Sequence, residues 1–218
     1  MTHPSRLATF ARPFLCAALF LPALRASEPF EHQYAGGTPP KESVPPLVES
    51  RKSGGGRVSL DSGKLRVEVP VGANHFYTIE GTEDDGATAQ GSTLDFSVVL
   101  VDTAPEQAAF SMRVGTGEGS WHVVFHSDQI RLGTKSVAHD TTQPDVYRLA
   151  IQDGKMTLYS ARDGELFEAV RQEGKQKENR ISFGTRSPLV VESPVVWELD
   201  FLRWTHNGAV FSRPAATE

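Results

Sequence analysis

The sequence has 218 residues, 39% hydrophobic and 22% charged, with a formal net charge of −5. This is the composition of a globular chain with enough apolar mass for one substantial core, and its acidity argues against nucleic acid or an anionic membrane as partner. A single cysteine, Cys16, excludes a disulfide framework.

Arg6 and Arg12 precede the apolar run Phe14 to Leu24, which is followed by Arg25-Ala26-Ser27. That layout predicts a secretory signal peptide over residues 1–26, with cleavage after Ala26. The run is about half the roughly 20 residues a membrane span requires, and Pro22 interrupts it, so no membrane insertion is expected after cleavage. Cleavage removes three arginines and no acid, so Lys+Arg falls from 22 to 19 against 27 Asp+Glu and the net charge becomes −8. Cys16 leaves with the signal, and residues 27–218 then form a single thiol-free domain, secreted or held in the periplasm or cell envelope.

From Phe30 onward the pattern is β. Phe30 to Tyr34 reads as a first strand. Residues 36–56 carry four prolines and five glycines, which is either a flexible linker or a long surface loop. Arg57 to Leu60 and Leu65 to Val69 flank Asp61-Ser62-Gly63-Lys64 as a hairpin. His75 to Glu80 is a short strand. The loop after it contains Glu83-Asp84-Asp85, an acidic run that is either solvated or supplies oxygen ligands to calcium, the one cofactor the sequence suggests. Thr93 to Val101, with Leu94, Phe96, Val98 and Leu100 on one face and the other made partly apolar by Val99 and Val101, reads as a central strand.

Phe110, Met112 and Val114 alternate on one arm of the next hairpin, and Trp121, Val123 and Phe125 on the other. Symmetric pairing sets Val114 against Trp121 and Phe110 against Phe125, and leaves Arg113 and His122 as cross-strand neighbours on the opposite face. Ile130 to Leu132 is a short strand, and residues 135–145 a polar crossing. Val146 to Tyr159 is then a hairpin hinged on Asp153-Gly154, a two-residue loop suited to a type I′ turn. Its register sets Leu149 opposite Leu158 and Arg148 opposite Tyr159. One face reads Tyr147, Leu149, Ile151, Met156 and Leu158; the other, with Arg148, Gln152, Lys155, Thr157 and Tyr159, is expected to be wet. Ile181 and Phe183 alternate in a strand ending at Gly184. Val195 to Thr205 is the longest strand, and simple alternation places Val195, Trp197, Leu199 and Phe201 inside, with Glu198, Asp200, Leu202 and Trp204 outside. Roughly a dozen short strands at turn spacings of about 8–12 residues predict an all-β, antiparallel sandwich or barrel.

The runs GSWHVVFHSDQIRLG, YRLAIQDGKMTLYSARDGE, ISFG and WELDFLRWTHNGAVF together resemble the concanavalin A-like lectin and glucanase jelly rolls, the group that includes laminin G-type domains. The resemblance spans most of Phe30 to Phe211 and is one of strands and turns. It implies a two-sheet antiparallel β-sandwich in which one concave face often binds saccharide. Glucanase-like members carry Glu-x-Asp-x-x-Glu, whose two glutamates serve as nucleophile and acid/base. Here Glu198-Leu199-Asp200 supplies two acids and Arg203 stands where the last glutamate belongs, so the proton donor is missing.

His122 and His126 form His-x-x-x-His, but on a strand they stand about 13–14 Å apart and cannot share a metal ion. No nucleophile elbow, phosphate-binding glycine loop or dinucleotide fingerprint appears. Ser160-Ala161-Arg162-Asp163-Gly164 approximates the Asp-box turn of sialidases with its aspartate one place late. Trp121 and Trp197 share parity with apolar neighbours and belong to the core. Trp204 either stacks on a sugar from the wet face or packs beneath the Gly208 turn. The expected function is thus an exported, non-catalytic glycan-binding module, its site drawn from Arg113, His122, Arg148, Tyr159, Glu198, Asp200 and Trp204. The alternatives are a structural or protein-interaction sandwich of the cell envelope and a glucanase-type glycoside hydrolase.

Overall fold

The computed structural model describes residues 30–79, 91–105, 107–116, 119–170, 180–185 and 193–216. Fifteen strands are found among them: β1 (His32–Ala35), β2 (Leu47–Ser53), β3 (Arg57–Asp61), β4 (Lys64–Val69), β5 (Asn74–Ile79), β6 (Ser92–Asp102), β7 (Phe110–Thr116), β8 (Gly119–Phe125), β9 (Gln129–Leu132), β10 (Lys135–Ala138), β11 (Val146–Gln152), β12 (Lys155–Ser160), β13 (Gly164–Val170), β14 (Arg180–Thr185) and β15 (Val195–Thr205). They form two antiparallel sheets stacked as a sandwich of the jelly-roll kind. The first has strand order β13-β12-β11-β6-β15-β4-β3, with β1 also paired to β15; the second has order β10-β9-β8-β7-β14-β5-β2. The expected signal peptide, residues 1–26, and the acidic run Glu83-Asp84-Asp85 lie outside the described residues.

The turn chemistry is as the sequence requires. Asp153 and Gly154 have φ of 51° and 70°, the positive values of a type I′ turn, and the β11–β12 register follows the hairpin prediction from Gln152 opposite Lys155 to Arg148 opposite Tyr159. Ser62 and Gly63, at 51° and 80°, repeat the device between β3 and β4. The β7–β8 arms pair symmetrically, Val114 with Trp121 and Phe110 with Phe125. Strand β6 is central, bonded to β11 on one side and β15 on the other; Leu94, Phe96, Val98 and Leu100 face the core, and Thr93, Asp95 and Ser97 lie buried on the other face.

Three elements differ from expectation. Part of residues 36–56 is an edge strand rather than a linker: Leu47 and Val48 of β2 pair with Ile79 and Thr78 of β5, and Leu47 is buried. Four prolines and five glycines masked this short apolar segment. The polar crossing holds β10, whose exposed residues carry no alternation to betray it. The third difference is in β15, where the pairing to β6 shifts register between Leu199 and Phe201. Asp200 is the extra residue of a β-bulge, so every side chain beyond it changes face. Leu202 and Trp204 turn into the core, while Phe201 and Arg203 turn outward half-buried. At the bulge the outer neighbour of β15 also changes, from β4 to β1. Gly36 bridges that gap by donating its backbone N–H to the Asp200 carbonyl, and a Cβ there would lie 2.2 Å from the Leu199 carbonyl oxygen.

The core is a continuous aromatic layer. Phe96, Phe110, Phe125 and Tyr147 meet with ring centroids 5.1 to 6.5 Å apart, and Phe183 and Trp197 extend the layer. Trp197 Nε1 of β15 donates to Thr185 Oγ1 of β14 at 3.0 Å, and Thr185 Oγ1 donates on to the Ala109 carbonyl, so a hydrogen-bond chain joins the two sheets through the core. Among the described residues no helix is long and apolar enough to cross a membrane.

Replacing Gly154 with Val puts a β-branched side chain at positive φ and is expected to cost about 1–3 kcal/mol. Thermal unfolding should show the loss, and an unchanged melting temperature would refute the turn geometry. Replacing Gly36 with Ala forces β1 away from the bulge, and should destabilise the fold although the site is a loop position.

Candidate functional site

Alternation in β7 and β8 sends the large apolar side chains inward and leaves a polar row outward. Thr78 of β5, Ser182 of β14, Arg113 of β7 and His122 of β8 stand side by side across four adjacent strands. His122 is exposed and Arg113 half-buried. Thr78 Oγ1 and Ser182 Oγ lie 3.3 Å apart, and the Arg180 guanidinium donates to Thr78 Oγ1 at 3.2 Å. In the next row Phe76, Gly184, Ser111, Val124 and Arg131 follow in register, with Ser111 Oγ donating to the Gly184 carbonyl at 3.1 Å. The short hydroxyl side chains lie low, at 5 to 6% exposure, between longer neighbours. This face offers guanidinium and imidazole groups, hydroxyls and an apolar patch from Val124, the mixture that binds polar, hydroxylated ligands.

The other sheet places its expected site residues differently. Arg148 is only 1% exposed and makes a two-pronged ion pair with the fully buried Asp95, Nε to Oδ1 at 2.7 Å and Nη2 to Oδ2 at 2.8 Å. Arg203 reaches the same carboxylate at 3.0 Å and is flanked by the rings of Phe30 and Phe201, 4.4 and 5.4 Å from its guanidinium carbon. The segment after β15 lies over this row: Thr93 Oγ1 donates to the Gly208 carbonyl and accepts from the Val210 N–H, and Arg148 Nη1 lies 3.4 Å from the Ser212 carbonyl. The face expected to be wet is therefore largely covered, with Thr157 and Tyr159 buried as well. Glu198 pairs with Arg66 at 2.7 Å and with Lys64 at 4.0 Å. Trp204 is buried against His32, ring centroids 5.1 Å apart, and offers no stacking surface to a ligand. Of the seven expected site residues, only Arg113 and His122 are brought together on an accessible face. Glu198 and Asp200 belong to the opposite sheet and cannot be the carboxylates beside Arg113. Arg131, Arg180, Ser182 and Thr78 were missed; the signal was there in the outward parity of β9 and β14, but the strand neighbours were not deducible from sequence.

A second polar cluster joins the loop before β11 to the β12–β13 turn. Asp145 accepts from Ser160 Oγ at 2.5 Å, from the Val146 N–H at 2.8 Å and from Arg162 Nε at 3.2 Å, and lies 3.2 Å from His139 Nε2. His139 Nδ1 meets Asp163 at 2.7 Å, and Tyr147 OH lies 3.1 Å from Nε2. Serine, histidine and aspartate are thus together, but their wiring is that of a clasp. Ser160 Oγ donates to the aspartate rather than to the imidazole, accepts from the backbone N–H groups of Arg162 and Asp163, and is fully buried. The run from Ser160 to Gly164 is the sequence trace of this turn. Burial is the largest influence on the Asp145 carboxyl and would raise its pKa; the hydrogen bonds from His139, Ser160, Arg162 and Val146 outweigh it and hold the pKa below the ordinary value. Among the described residues no group of three or more His, Cys, Asp or Glu is arranged to hold a metal ion.

No protein-family model matches the sequence, and neither does any curated protein. Similar solved structures are binding domains of botulinum neurotoxins. The type C neurotoxin, solved in work on its dependence on two ganglioside molecules, is 8% identical with a TM-score of 0.54 over 78% of this chain and 45% of that one. The DC domain in complex with rat synaptotagmin II gives 8%, 0.53, 78% and 45%, and the DC domain in complex with SialylT gives 8%, 0.50, 73% and 42%. This chain spans less than half the length of those domains, and at such identity the likeness is one of fold.

Replacing Asp95 with Asn leaves Arg148 buried without its counter-charge and is expected to cost about 3–5 kcal/mol in urea unfolding. Asp145 has a depressed folded-state pKa, so its contribution is present above the unfolded value near 3.9 and is lost as pH falls through the folded value. Asp145→Asn should therefore cost about 2–4 kcal/mol at neutral pH, with the gap to wild type closing in acid below about pH 3.9. A gap that stays constant down to that range would contradict the clasp.

Proposed function

We propose that the protein is an exported, non-catalytic carbohydrate-binding sandwich of the concanavalin A-like type, with its site on the outward face of β7, β8 and β14. The observation that carries this reading is the row Thr78, Ser182, Arg113 and His122, a band of directed hydrogen-bonding groups on the outward face of the sheet, with His122 exposed and Arg113 half-buried. Planar guanidinium and imidazole groups address vicinal hydroxyls and carboxylates, and Val124 gives an apolar patch beside them. Export rests on the charged start, short apolar run and Ala26 of the first 26 residues. Solved structures of similar fold were determined with SialylT or in work on gangliosides, which supports a sugar over other small ligands.

A glucanase reading loses ground because Glu198 is held by Arg66 and Arg203 by Asp95, leaving no facing pair of free carboxylates on β15. A protein-binding role is the second reading, and the synaptotagmin complex of one structural neighbour favours it. A glycan array probed with wild type and with a folded Arg113→Ala, His122→Ala double variant separates them. Binding by wild type that falls at least about ten-fold in the variant is expected, since each charge-assisted hydrogen bond contributes about 1.5–3 kcal/mol. Equal binding by both would remove this face as the site, and silence of the wild type across the array would remove the glycan reading.

A further inference from the structure

The edge strand β2 turns charged side chains toward the interior. Its pairing with β5 shifts register between Glu49 and Arg51, so Glu49 lies opposite Tyr77 and Lys52 opposite His75. Residues three apart on a strand ordinarily face opposite ways, but Ser50 is the extra residue of a bulge, and Glu49 and Lys52 share the inward side with His75 and Tyr77. The two charges lie 3.6 Å apart and keep partial access to solvent. His75 keeps none: it is 0% exposed. Its Nε2 stands 3.5 Å from Glu49 Oε1 and its ring centroid 5.0 Å from that of Tyr77, and among the described residues neither ring nitrogen has a hydrogen-bond partner. The crossing from β2 to β3 closes the remaining side. A Cβ on Gly56 would come 2.9 Å from His75 Nδ1, and one on Gly54 would come 2.6 Å from the Ala73 Cβ. The imidazole is thus clamped between an edge strand, a sheet-to-sheet crossing and the start of β5.

We propose that His75 is an acid-sensitive latch, whose protonation releases β2 and residues 54–56 from β5 while the rest of the sandwich stays folded. A neutral imidazole is tolerated in such a place, whereas a charged one loses its hydration and gains only what its neighbours return. Among the described residues, the titratable side chains that face it are Glu49 and Lys52 from β2 and Tyr77 from β5. β14 sets Thr185 beside His75, and β4 approaches Gly56 with the backbone carbonyl of Glu68, so neither element adds a charge. Burial is the largest influence on the imidazole and lowers its pKa; Glu49 opposes it, Lys52 adds to it, and the result stays below the ordinary value of 6.5. The open form therefore takes the proton first. Closure is at full strength above about pH 6.5 and weakens as pH falls through the closed-state value. Because β2 has β5 as its one strand partner, its release costs less than unfolding the sandwich, and it bares Leu47 and the edge of β5.

Hydrogen exchange on the full chain at about pH 7.5 and about pH 5, expressed as protection factors so that the intrinsic pH dependence of exchange cancels, tests the latch. Protection of the β2 amides should fall at least about ten-fold in acid while that of β6 and β7 holds. His75→Phe and His75→Gln, neutral at both pH values, should each abolish the fall; two variants are used because either one alone could fail to fold. Glu49→Gln removes the charge that favours the protonated ring and should deepen the fall. Constant protection of β2 in the wild type would overturn the latch, as would an equal fall in a folded His75 variant. Simultaneous loss of protection in β2, β6 and β7 would show global unfolding and overturn it too.

Discussion

The constraint on which the sandwich depends is the two-residue period of β15, one of its two eleven-residue inner strands. β15 runs the length of its sheet beside β6, and a strict alternation over its eleven residues would send Leu202 and Trp204 to the surface and Phe201 into the core. One extra residue, Asp200, inverts the second half. Both ends of the strand then feed the same core: Trp197 and Leu199 from one half, Leu202 and Trp204 from the other. The same inversion delivers Arg203 to the outer face, where it meets Asp95. Packing inside and charge pairing outside thus follow from a single register shift.

That shift also marks what was legible in the sequence. Wherever a turn announced itself, the pairing was readable: Asp153-Gly154 set the β11–β12 register, and the apolar alternation of β7 and β8 set theirs. Arg113 beside His122 was therefore visible before any fold. The bulge was not, because nothing in the order of Leu199, Asp200 and Phe201 distinguishes an extra residue from an ordinary one. It is fixed by the partner strand, where the outer neighbour of β15 passes from β4 to β1. Arg148 failed for a related reason. A charged residue on a strand reads as exposed unless its partner is known, and Asp95 lies more than fifty positions away in the chain. Neither the ion pair nor the segment around Ser212 that lies over it has a local signature.

The two outward faces divide the chemistry of the molecule. On one sheet the arginines are neutralised and covered, and their energy goes into holding the terminal segments against the sandwich. On the other, Arg180, Arg113, His122 and Arg131 stand among small hydroxyls on the outward side of β14, β7, β8 and β9. The Ser160, His139 and Asp145 clasp belongs to the first kind in spite of its composition, since its serine is buried and donates to the aspartate, which also accepts from the Val146 N–H and Arg162 Nε. Residue types alone would have assigned function to the clasp and the buried Arg148. Burial and wiring give both a structural role.

The position of β15 has a kinetic consequence. The last strand of the described chain sits in the middle of its sheet, between β6 on one side and β4 and β1 on the other. Leu199 pairs with Val98, on the order of a hundred residues earlier, so loop closure over a long segment must precede the contacts that reward it. The preceding strands of that sheet are left as two separate edges, β6 and β4, until residues 195–205 are available to join them. Folding of this sheet is accordingly slow and waits for residues 195–205, and a nascent protein halted before Val195 exposes two unpaired edges with the core between them open to solvent.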